Sequence, residues 1–177
     1  MSEQAPFALK HYNLTSLLGD LGLVPFILLA GLMAHAYFIG PGLPAASLFG
    51  LDAAKGFIAY SAVILSFLSG ALWERSRLAE SDGLTGLPKA ALLFSNIVTL
   101  SAWACLLLSN GSPMMQVYAV GLLLLGFLAL LWVERQTGGL YTRSESRGSS
   151  YWSMRLRITL LVVLLHALVA VLMVAEQ

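Results

Sequence analysis

A chain of 177 residues that is 58% hydrophobic and 11% charged departs far from an average soluble domain, which is about 25% charged. The formal net charge of +1 gives no general basic or acidic bias, and no nucleic-acid partner is expected. A single cysteine, Cys105, excludes an intrachain disulfide, a zinc or iron–sulfur cluster and a c-type haem attachment site, and is read as a small apolar core residue.

Five apolar segments follow one another, roughly Leu17–Phe38, Ala54–Trp73, Ala90–Ser109, Met115–Val133 and Leu156–Val174. Each can cross about 30 Å of hydrocarbon at about 1.5 Å rise per residue. The prediction is an all-α polytopic membrane protein, a bundle of five transmembrane helices forming one domain over residues 1–177. No soluble module is attached, since the longest polar loop has only about twenty residues.

The first segment is too long for the apolar core of a signal peptide, and Asp20 and Pro25 interrupt its start, so it reads as a retained helix. Asp20 lies near its inner end, where a carboxylate caps free backbone N–H groups; proton or cation handling is the alternative. The 40–53 loop holds prolines and glycines yet stays apolar, which places it at the membrane interface.

The second segment spaces Ala62, Ser66 and Gly70 by four, predicting a small-residue face on which another helix can pack closely. The third segment concentrates Ser95, Asn96, Thr99 and Ser101, so these two helices are expected to meet in the interior. Their polar residues are either structural glue or the lining of a path or pocket. Asn110-Gly111-Ser112-Pro113-Met114 is a tight turn into the fourth segment, whose Leu, Gly, Ala and Val are expected to face lipid over much of its surface.

The second and fourth segments end alike, in Trp73-Glu74-Arg75 and in Trp132-Val133-Glu134-Arg135. Convergent interfacial anchoring accounts for the echo, and a two-helix repeat is the alternative. The 136–153 stretch, rich in Ser, Gly and Arg, reads as a mobile inner loop suited to anionic head groups. Arg155 and Arg157 open the last segment and are expected either to pair with Asp20 or Glu74 or to snorkel to lipid phosphate.

Basic residues decide the orientation. Lys10, Arg75, Arg77, Lys89, Arg135, Arg143, Arg147, Arg155 and Arg157 fall on one side of the alternation, against Lys55 on the other. Cationic short loops stay cytoplasmic, so the amino terminus is predicted inside and the carboxyl terminus outside.

Three stretches carry a family resemblance. Tyr60, Ile64-Leu65-Ser66-Phe67, Gly70 and Trp73 form the first, Leu21-Gly22-Leu23-Val24-Pro25-Phe26 the second, and Trp152 with Met154-Arg155 and Ile158-Thr159 the third. Together they resemble the domain-of-unknown-function 3429 family, which includes bacterial inner-membrane proteins and a mitochondrial relative, transmembrane protein 69. Leu72 and Glu74 depart from the family's small residue or His before the Trp and Gly after it, so no role of that corner carries over. The resemblance implies a bacterial inner-membrane location and no particular reaction.

His35 and His166 are the candidates for a b-type haem. Counting from the helix starts, they differ in depth by roughly 9 to 12 Å, against a bis-histidine site's need for one level. Neutral histidines bonded between helices are favoured, and no cofactor is predicted. Phosphate loop, dinucleotide fingerprint, HExxH motif and carboxylate cluster are all missing, and no lysine lies within a helix core. The leading expectation is a non-catalytic accessory, assembly or stabilising component of a larger membrane complex, partnered by anionic lipid at the cytoplasmic face and by another membrane protein or itself. A small-molecule or ion carrier with a path between helices two and three is the alternative, and a membrane enzyme or haem protein the third reading.

Overall fold

The structure, a computed structural model, describes residues 14–81, 83, 86–141 and 145–177; Lys10 and Arg143, used in the charge reading, lie outside them. Among the described residues are six α-helices, α1 (Leu14–Leu21), α2 (Val24–Phe38), α3 (Ala53–Ser81), α4 (Leu87–Leu108), α5 (Pro113–Tyr141) and α6 (Glu145–Ala175), and one 3-10 turn, Leu43–Ala45. Five spans among the described residues are long and apolar enough to cross a membrane, the first of them being Leu17–Phe38, which α1 and α2 share.

The break in that first span follows from its sequence. Pro25 stands in the first turn of α2, where its missing N–H costs little, but the preceding turn loses a hydrogen bond. The chain bridges the gap with Gly22 N–H donating to the Leu18 carbonyl and Leu23 N–H to that of Asp20. Asp20 therefore sits at the end of α1 rather than at a helix start, and the predicted capping role is corrected.

The three longest helices, α3, α5 and α6, have 29, 29 and 31 residues, more than the roughly 20 that cross the hydrocarbon. α5 continues to Tyr141 and α6 begins at Glu145, so most of the predicted 136–153 mobile loop is helical. At the other end, residues 47–52 form a two-stranded hairpin, β1 (Ser47–Leu48) with β2 (Leu51–Asp52), pairing Ser47 with Asp52. Its tip, Phe49-Gly50, has positive φ at both residues, as a two-residue hairpin turn of matching twist requires. Phe49 and Leu51 project outward, as an apolar interfacial loop should. Asp52 then starts α3 by accepting the Lys55 N–H at 2.8 Å.

α3 and α5 hold the bundle together. α3 packs against α2, α4 and α5, while α5 packs against α3, α4 and α6, and α2 also meets α6. The buried face of α3 runs Ile58, Ala62, Leu65, Ser69, Leu72, Ser76 and Ala79. α5 still turns much of its surface outward, as its composition suggested, with Leu122, Leu125 and Trp132 exposed. The centre is aromatic: Phe26, Phe57 and Phe127 surround His166, with ring centroids 5.8, 4.8 and 5.3 Å from the imidazole.

Candidate functional site

The expected seam between α3 and α4 exists, with Ser95 and Thr99 on the α4 side as expected and Ser69 on the α3 side. The Ser69 hydroxyl donates to the Ser95 carbonyl at 2.6 Å and lies 2.9 Å from the Thr99 hydroxyl. Ala62 and Ser95 are buried, as the sequence reading placed them, and Ser66 is half-buried. Gly70 faces outward, and a Cβ built there would have nothing within 4 Å. Gly70 is therefore not part of the seam. Asn96 also faces outward, its amide donating to Leu92 O of its own helix at 2.9 Å.

Most of the described charged residues gather at one end. Arg157 pairs with Asp20, tying α6 to α1, one of the pairings expected for these arginines. Arg155 does not join it. Arg155 is 6% exposed and its Nε donates to Glu134 at 2.7 Å, Glu134 itself being 5% exposed. The other Glu134 oxygen accepts from Arg75. Glu74, the predicted partner, faces outward and takes Arg77 in a two-pronged contact at 2.8 Å. The echoed Glu-Arg pairs therefore have unlike surroundings: one glutamate is solvated, and the other bridges α3 and α6 from inside.

Beside this cluster lies a cavity of about 370 Å³ where α1, α2, α3, α5 and α6 meet. The break between α1 and α2 forms one wall through Gly22 and Leu23, and Ile64 and Phe67 of α3 form the opposite one. Phe127 and Val162 supply more apolar lining. The polar lining comes from α6, as Arg155 and Thr159. Thr159 is 1% exposed, and its hydroxyl has no partner among the described residues. All three stretches that carried the family resemblance contribute to this wall: Gly22 and Phe26, Ile64 and Phe67, and Met154 to Thr159.

Two of these residues escaped the sequence reading. In the sequence Glu134 reads as an interfacial anchor, and Thr159 enters only as part of a motif. A signal for Thr159 was present: Arg155, Thr159 and His166, spaced by four and seven, lie on one face of α6. The two histidines stand in different settings. His35 faces outward on α2, whereas His166 is fully buried, its Nδ1 2.8 Å from Val162 O and its Nε2 without a partner among the described residues. The rings packed around His166 make its pocket an aromatic core position.

A family described as "Protein of unknown function (DUF3429)" matches residues 13–171. No curated protein and no solved structure matches the chain.

Proposed function

The chain belongs to the DUF3429 family, and from that premise we propose that it is a non-catalytic accessory, assembly or stabilising component of a larger complex in the bacterial inner membrane. The observation that carries this reading is Asn96. It lies mid-way along α4 and turns a carboxamide outward, among Leu93, Ile97 and Leu100, at a depth where lipid offers no hydrogen bond. One N–H of that side chain is held by Leu92 O of its own helix, but a carboxamide has further donor and acceptor capacity, and another helix packing here can meet it.

The interior gives less support to a carrier. The hydroxyls between α3 and α4 are engaged with one another and with backbone, and the middle of the bundle is filled by Phe26, Phe57, Phe127 and His166. A conducting path needs lining groups free to exchange partners with the solute. Arg75, Arg77, Lys89, Arg135, Arg155 and Arg157 fit a cytoplasmic end, with the amino terminus inside and the carboxyl terminus outside. Anionic lipid suits that end.

Purification in mild detergent and in nanodiscs tests the proposal. A stoichiometric companion or a defined homo-oligomer is expected, and Asn96→Leu should release it. A monomer without a companion in both settings would sink the reading.

A further inference from the structure

We infer that the cavity at the α1–α2 break is a site for one anionic phospholipid, with an acyl chain along its apolar walls and the phosphate at Arg155 and Thr159. This goes beyond the accessory role and does not depend on any protein partner.

Three independent features point to that ligand. The cavity, at about 370 Å³, falls in the roughly 300–1,000 Å³ range of small-molecule sites. Its walls are apolar, built from Leu23, Phe26, Ile64, Phe127 and Val162, and suit hydrocarbon. The Thr159 hydroxyl, buried and without a partner among the described residues, lacks the acceptor that a buried donor requires.

The charge balance selects the head group. Arg75 and Arg155 share one carboxylate, Glu134, so the three carry a net charge of +1 where a charge is costly to bury. A phosphodiester brings one negative charge and several strong acceptors, which matches that deficit and the geometry of a guanidinium. A zwitterionic lipid brings no net charge. Phosphate alone would leave the apolar walls empty.

The test uses the full chain, delipidated in mild detergent. Thermal unfolding is followed by tryptophan fluorescence during titration with phosphatidylglycerol, phosphatidylcholine, oleate or inorganic phosphate. Phosphatidylglycerol should raise Tm at concentrations where the other three do not, and native mass spectrometry should show one molecule retained. Thr159→Val should weaken the apparent affinity by about tenfold. Ala71→Phe, which places a ring at the cavity wall, should abolish the shift. The site is refuted if phosphatidylcholine or phosphate acts equally, or if both variants keep the wild-type response. An equal response to oleate would refute the phospholipid in favour of a free fatty acid. Should Ala71→Phe fail to fold, Thr159→Val and the retained stoichiometry decide the matter.

Discussion

The hydroxyl of Tyr60 donates to the carbonyl oxygen of Gly22 at 2.9 Å, so α3 supplies a hydrogen bond to the gap between α1 and α2. A helix broken at membrane depth exposes backbone groups that lipid cannot satisfy, and neighbouring side chains must take their place. Tyr60 also packs edge-on against Phe26, with centroids 4.8 Å apart, which fixes the ring for that donation.

Tyr60→Phe should therefore cost about 0.5–2 kcal/mol, the range of hydrogen bonds between membrane helices. Tyr118→Phe, on the outward face of α5, is the matched control and should change little. Thermal unfolding in detergent reads both. Equal Tm values for the two variants would mean that the bond contributes nothing.

The glycine that matters for packing is Gly126. A Cβ built there would stand 2.6 Å from Cδ2 of Leu65, a side chain 1% exposed that has little room to move. Gly126→Leu should overpack the contact between α3 and α5 and cost about 1–3 kcal/mol or more. Gly70→Leu and Leu125→Phe meet open surroundings and should melt close to wild type. A larger loss at Gly70 than at Gly126 would contradict this packing.

Removing the shared carboxylate tests the buried cluster. Glu134→Gln keeps the shape but leaves Arg155, and in part Arg75, without a counter-charge. Breaking a buried pair in this way costs about 3–5 kcal/mol. Glu74→Gln, at the outward-facing contact with Arg77, should leave Tm close to wild type. The comparison is made by thermal unfolding at constant ionic strength, since salt screens the exposed pair far more than the buried one.

Orientation is checked with a reporter active only outside the cytoplasm. Fused after Gln177 it should work, and inserted in the 142–144 connection between α5 and α6 it should fail. The reverse pattern would overturn the distribution of basic residues as the determinant.

Much of the architecture was legible in the sequence, because apolar runs of about twenty residues have one favourable environment and one backbone solution there. The meeting of α3 with α4 was also readable from their hydroxyl residues. What was misread was the face. Residues four apart advance by about 40° beyond a full turn, so Gly70 lies about 80° around the helix from Ala62. Ala62, Leu65, Ser69, Leu72 and Ser76 alternate steps of three and four and stay on one side, which is the buried one.

The sequence by itself determined the five apolar spans and the end of the bundle where most of the charge gathers, because length and charge need no neighbours to act; the division of the first span into α1 and α2 came only with the structure. Only the tertiary structure decided that Glu134 lies inside while Glu74 lies outside, although each precedes an arginine at a helix end. That choice depends on which helices stand beside them. α6 brings Arg155 against Glu134, and no comparable contact reaches Glu74 among the described residues. The cavity has the same origin: Gly22, Ile64 and Thr159 are remote along the chain and share a wall only once α1, α3 and α6 have packed.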